Sequence, residues 1–117
     1  MQHLFVYGTL RRASPHPLAR RLASEADFVG PGRTRGRLYK LGWYPGMILS
    51  ADPGDWVIGD VYRLHDPDAL LPILDEYEGE DFARVAATVS LADGAEIQAW
   101  VYVYLGQPDE TNRIASY

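Results

Sequence analysis

Between Arg84 and Leu105 the chain alternates apolar and polar residues twice, and Asp93-Gly94 lies between the two runs. Val85, Ala87, Val89 and Leu91 interleave with Arg84, Ala86, Thr88 and Ser90, and Ile97 to Leu105 repeats the two-residue period of a half-buried strand. Asp-Gly suits a tight turn of the primed type, so the pair is predicted to form a β-hairpin. The C-terminal part of the chain is thereby committed to antiparallel sheet, and the remaining segments have to be read as elements that accompany it.

Leu4 to Tyr7 is an apolar run of strand length closed by Gly8, which predicts a first, buried strand followed by a loop. Between Pro17 and Asp27, Leu18, Ala19, Leu22, Ala23 and Ala26 recur at helical spacing, and a short helix fits there. Gly30, Pro31 and Gly32 break that pattern, and Arg33 to Leu41 then alternates weakly as a strand. Gly42 to Gly54, rich in Gly, Pro and aromatics, reads as an ordered loop of the kind that lines sites. Trp56 to Leu64 returns to β-rich composition, with Gly59 marking a bulge or a close backbone approach. Asp66 can cap the free N–H groups of a helix that begins at Pro67, carries Leu70, Ile73, Leu74 and Tyr77 on one face, and stops at Gly79. The polar tail, residues 106–117, is expected to be only partly ordered. Strand, helix, strand, strand, helix, strand, strand is an α+β order dominated by a mixed or antiparallel sheet, and a sheet curled into a small β-barrel with flanking short helices is the preferred architecture.

With 117 residues and 47% hydrophobic content, the chain is long enough for one core and too short for two ordinary domains, so residues 1–117 are read as a single domain. A net charge of −5 provides no broad attraction to nucleic acid or anionic membrane. Arg33, Arg35 and Arg37 share one strand face, and that row reads as a solvated face rather than a phosphate-binding track. No cysteine is present, which excludes disulfides, thiolate catalysis and cysteine-ligated metal. With no signal-like start and no membrane-length apolar run, the expectation is a soluble cytoplasmic protein.

Few constellations carry chemistry. Gly30-Pro-Gly-Arg-Thr-Arg-Gly36 superficially matches a dinucleotide fingerprint, but its third glycine is one position late and no helix pattern follows. His3, His16 and His65 show no metal-ligand spacing, and no serine sits in a nucleophile-elbow pattern. The acidic segment Asp75-Glu-Tyr-Glu-Gly-Glu-Asp81 remains. Read plainly, it is a solvated helix end. Glu78, however, falls in the last helical turn, where the carbonyl end of the helix is partly negative and other carboxylates lie nearby in sequence. Both effects push its pKa upward, and shielding by the aromatic loop would add desolvation, which suits general acid/base work near neutrality.

Several of these segments carry a family likeness. Phe5-Val-Tyr-Gly-Thr-Leu-Arg11 resembles the opening signature of the gamma-glutamylcyclotransferase-like (AIG2-like) proteins. Leu74-Asp-Glu-Tyr-Glu-Gly79 followed by Phe82-Ala-Arg84 is similar to their second signature. Leu38-Tyr-Lys-Leu-Gly-Trp-Tyr-Pro-Gly46, Gly59-Asp-Val-Tyr62 and Trp100-Val-Tyr-Val-Tyr104 are similar to the family's middle and last strands, in the same order. The resemblance implies a small β-barrel flanked by helices, acting without a cofactor. It also implies a reaction: the free α-amine of a gamma-glutamyl compound attacks its own γ-carbonyl, releasing 5-oxoproline and an amine or amino acid.

Carried over by position, the resemblance makes Glu78 the acid/base and Tyr7, Gly8, Thr9 and Leu10 the binding loop. Gly8 would let backbone approach the ligand, and the N–H groups after it would bind a carboxylate or oxyanion. Arg84 matches the second signature's arginine and is read as structural or pocket-lining. Tyr44 and Tyr104 are read as pocket walls, with ordinary barrel aromatics as the alternative. Phe82 stands where the family commonly has tyrosine, and the chain departs from the family's usual tail at Ile114-Ala-Ser-Tyr117. The expected partner is a small gamma-glutamyl compound, for a monomer or a homodimer. A non-catalytic binding module that keeps the same pocket is the rival reading.

Overall fold

The computed structural model describes residues 1–117. Strand β1 (His3–Val6) is followed by helix α1 (Pro17–Ser24), the long strand β2 (Ala26–Lys40), β3 (Pro45–Leu49) and β4 (Trp56–Leu64). Helix α2 (Pro67–Glu78) precedes the hairpin β5 (Phe82–Leu91) and β6 (Glu96–Tyr104), and the chain closes with a short 3-10 turn (Glu110–Asn112) and β7 (Arg113–Ile114). The strand order β2-β4-β1-β6-β5 returns to β2, because β5 also pairs with β2 through Gly32 to Thr34. The sheet is therefore a closed five-strand barrel, mixed because β1 runs parallel to β6 and the other pairings are antiparallel. Strands β3 and β7 extend it on either side of the far half of β2.

Side chains two residues apart share a face of a strand, and here both faces are buried. Phe5 and Tyr7 point into the barrel with Val57, Val61, Val89, Ala99, Val101 and Val103. Leu4 and Val6 point out against Leu22 of α1 and Leu70, Leu71 and Leu74 of α2, beside Tyr62 and Tyr102. This double burial is why the first run is continuously apolar rather than alternating.

Helix α2 has the ends the sequence predicts. The Ala69 N–H donates to Asp66 Oδ1 at 3.3 Å, and Gly79 ends the helix at φ 79°, a conformation costly for any residue with a Cβ. Gly59 marks a close approach rather than a bulge, since a Cβ there would run into the Val6 carbonyl and the Phe5 ring. His16 caps α1 by accepting the Leu18 N–H at Nδ1, 3.1 Å away.

Four local expectations need correction. The first helix ends at Ser24 rather than Asp27, and Gly30-Pro31-Gly32 lies inside β2 instead of breaking the chain. A register shift between Phe28 and Gly30, with Gly30 at φ 148°, absorbs the irregularity while the strand continues along β4. The segment 42–54, read as a loop, contains β3, which folds back on β2 with Lys40 opposite Pro45. The β5–β6 connection is longer than a two-residue primed turn: Leu91 N–H donates to Ala95 O, Gly94 N–H to Leu91 O, and Gly94 alone takes positive φ. The tail carries β7 on β2, the Tyr39 hydroxyl donates to Glu110 Oε1 at 2.6 Å, and Arg113 pairs with Asp55 at 2.7 Å.

The arginine row is engaged locally, with Arg33 and Arg35 over Trp56 and Arg37 paired with Asp55. No helix is long and apolar enough to cross a membrane.

Candidate active site

The turn after β1 and the end of α2 line one cavity of about 230 Å³. Residues 5–10 form one wall. Trp43, Tyr44 and Pro45, from the turn between β2 and β3, form another, and Tyr77, Glu78, Asp81, Phe82 and Tyr102 complete it.

The loop residues play different parts. The Tyr7 hydroxyl donates to the Tyr102 carbonyl at 2.6 Å and accepts the Met47 N–H at 3.2 Å, and burial pushes its pKa far up. It is a neutral strut tying β1 to β6 and β3. Packing by itself requires a glycine at position 8: a Cβ there would lie 2.6 Å from Pro45 Cγ. Its carbonyl accepts the Arg11 N–H at 3.0 Å, closing a turn, while the N–H groups of Gly8, Thr9 and Leu10 donate to no protein acceptor. Three consecutive free donors at a cavity wall suit a carboxylate or an oxyanion. Thr9 Oγ1 lies 2.9 Å from the Tyr77 hydroxyl, joining this loop to α2.

Glu78 is the one partly buried carboxylate on the cavity. Burial alone raises its pKa from 4.5 to about 7. The sequence argument reached the same direction through the helix carbonyl end, neighbouring carboxylates and shielding; of these, desolvation is what acts. The neighbours are turned elsewhere, with Glu76, Glu80 and Asp81 exposed and Asp75 engaged. The Arg84 guanidinium donates to both Asp75 oxygens, at 2.8 and 3.2 Å, and lies 4.4 Å over the Trp100 ring. The Tyr102 hydroxyl donates to the same Asp75 oxygen at 2.7 Å. Hydrogen bonding from Arg84 holds the Asp75 carboxyl below its usual range.

Of the residues the sequence singled out, Tyr7, Gly8, Thr9, Leu10, Tyr44 and Glu78 meet at this cavity. Arg84 and Tyr104 do not line it: Arg84 is turned to Asp75 and Trp100, and Tyr104 faces a neighbouring groove with Lys40 and Asp109. Phe82, in place of the family's tyrosine, is a cavity wall between Tyr44 and Tyr104, with ring centroids 6.3 and 5.7 Å away. Sequence reasoning missed Tyr77, Asp81 and Tyr102 as site residues. Tyr77 and Tyr102 sit at apolar-face positions, and only their hydroxyls, which need partners when buried, signal a second role. No group of three metal-ligating side chains converges anywhere in the fold.

Comparison with known proteins follows this geometry. The family model described as "Gamma-glutamyl cyclotransferase, AIG2-like" matches residues 4–117. A Drosophila melanogaster protein named "Putative gamma-glutamylcyclotransferase CG2811" is 29% identical over 117 residues, covering 92% of this chain and 72% of its own. A similarly named protein of Methanocaldococcus jannaschii is 26% identical over 108 residues, covering 89% of this chain and 85% of its own. The crystal structure of an AIG2-like protein of Mus musculus superposes with a TM-score of 0.80 at 26% identity, over all of this chain and 88% of the mouse one.

Proposed function

The chain belongs to the AIG2-like gamma-glutamyl cyclotransferase family, and on that premise we propose that it cyclises the gamma-glutamyl group of a gamma-glutamyl amine or amino acid to 5-oxoproline, with Glu78 moving the protons. The observation that carries the reading is a desolvated carboxyl, with its pKa raised to about 7, on the same cavity as the free N–H groups of Gly8, Thr9 and Leu10. A carboxyl so poised exchanges protons in both directions near neutrality.

In the proposed reaction the substrate α-carboxylate or the developing oxyanion takes the loop N–H groups. Ionised Glu78 accepts a proton from the α-ammonium. The freed amine attacks the γ-carbonyl carbon, forming the ring C–N bond as the carbonyl electrons move to oxygen. Collapse of that intermediate breaks the original C–N bond as Glu78 gives its proton to the departing nitrogen, and the second proton of the ring nitrogen then passes by way of Glu78 to the released amine, which leaves as an ammonium. Atoms and charge balance without a further reactant. Ring closure is intramolecular, so holding the near-attack geometry supplies much of the acceleration, effective molarities of about 10⁵ M or more being available to well-oriented groups.

Purified protein incubated with a panel of gamma-glutamyl amines and amino acids is expected to release 5-oxoproline, and Glu78→Gln is expected to abolish that release while keeping the fold. If the wild-type protein turns over no member of the panel, the cavity is that of a binding module.

A further inference from the structure

The cavity wall contains two carboxylates, Glu78 and Asp81, and no Lys, Arg or His. Its charge is unevenly placed. Arg11, paired with Asp60, and Arg12 lie in a separate groove that also takes in Gly8 and Thr9, so the basic side chains near the loop lie in that groove and off the cavity wall, and the loop offers the cavity its free N–H groups. Asp81, exposed and in no ion pair, lines the same cavity as an aromatic group: Trp43 meets Tyr44 edge-on at 5.1 Å, the Tyr44 and Phe82 rings are tilted with centroids 6.3 Å apart, and Trp43 is 67% exposed. Aromatic faces beside a carboxylate attract a cation twice over, through the ring quadrupole and through charge. They offer an anion nothing.

We propose that the group leaving from the gamma-glutamyl carbonyl bears a second cationic centre, as in a diamine, and that this cation lies against Trp43, Tyr44, Phe82 and Asp81. The assignment rests on the cyclotransferase reading and narrows its substrate class. The glutamyl end is zwitterionic: its carboxylate matches the free N–H groups of the loop, and its ammonium matches Glu78. Only the leaving group remains to be matched by the aromatic and acidic wall. Lys40 lies beyond Tyr44 and Asp81, in the adjoining groove that also holds Asp109, and is the cation an anionic leaving group would have to reach.

Three adducts of equal reach separate the possibilities: the gamma-glutamyl amides of diaminobutane, of pentylamine and of aminovaleric acid, ending in ammonium, methyl and carboxylate. Calorimetric binding to the Glu78→Gln protein ranks them without any turnover, and 5-oxoproline release by the wild-type protein ranks them by kcat/KM. The ammonium-ended adduct is expected to lead the methyl-ended one by roughly tenfold in both assays. Asp81→Asn is expected to reduce that ratio severalfold, and Lys40→Met to leave it unchanged.

Equal ranking of the ammonium-ended and methyl-ended adducts overturns the proposal. So does preference for the carboxylate-ended adduct, with loss of that preference in Lys40→Met. If binding ranks as expected but no 5-oxoproline appears from any adduct, the cavity's cation preference stands and the cyclotransferase reading is the part that fails.

Discussion

Asp75 and Glu78 leave the same face of α2, three residues apart, and their surroundings drive them in opposite directions. Asp75 receives Arg84 and Tyr102 and stays ionised, its pKa lowered. Glu78 finds no donor and is desolvated by burial, and its carboxyl rises to about 7. One carboxylate clamps the helix to the β5–β6 hairpin; the other is left free to exchange a proton. Proximity in sequence did not decide which carboxylate would have its pKa raised. What decided it was which one found donors when the helix docked on the barrel.

The hardest test of this contrast removes the carboxyl proposed to move the protons. Glu78→Gln is expected to lower kcat/KM for 5-oxoproline release by about a thousandfold, the usual scale for a lost acid/base group, while circular dichroism stays unchanged. In the wild-type protein kcat/KM is expected to climb as pH rises through about 7, because the ionised carboxyl must accept the ammonium proton. A limb near the ordinary 4.5 would show that the cavity does not desolvate Glu78.

The same substitution should move stability the other way. Below 4.5 the folded and unfolded chains both carry the Glu78 proton, so its contribution does not change with pH. Between 4.5 and about 7 the unfolded chain loses that proton while the fold keeps it, so stability falls across this window and then levels off. At about 1.4 kcal/mol per unit over about 2.5 units, the cost above the window reaches about 3.5 kcal/mol at most. Urea denaturation at alkaline pH is therefore expected to find Glu78→Gln the more stable protein, with the difference vanishing in acid. Asp75 has the opposite sign: its lowered pKa contributes stability above 3.8 that is lost as pH falls.

Breaking the clamp instead of the reactive group should cost folding. Arg84→Ala leaves Asp75 without its bidentate partner and uncovers Trp100, and is expected to destabilise by about 2 kcal/mol in urea denaturation, discounted for the partial exposure of the pair. Arg84→Lys, a point charge without the planar fork, should recover only part of that loss. The smallest expected effect is that of Tyr77→Phe. It removes the hydroxyl beside Thr9 Oγ1, costs about 1 kcal/mol, and is expected to raise KM more than it lowers kcat, because in the proposed reaction the loop it steadies holds the substrate.

Much of this molecule was legible as pattern. The two-residue period of β5 and β6, the Asp66-Pro67 start and Gly79 stop of α2, and the apolar run of β1 are local signals with local causes. The Tyr-Gly-Thr-Leu and Leu-Asp-x-x-Glu-Gly segments brought Glu78 and the Gly8 loop forward together as candidates. Local reasoning failed where long-range pairing overrides local preference. Gly30-Pro31-Gly32 breaks an isolated strand but not one held along β4, and Pro45 to Leu49 looks like loop until β2 is there to pair with it.

Periodicity, short-range caps and the signature segments, all read along the chain, thus determined most element types, the barrel class and the carboxyl to watch. Only the tertiary structure decided that Arg84 faces Asp75 rather than the cavity, that Gly8 is a glycine because of Pro45, and that burial rather than the helix end tunes Glu78. Solvation and hydrogen-bond partners are properties of the space between elements distant in sequence, and that space exists only once the barrel has closed.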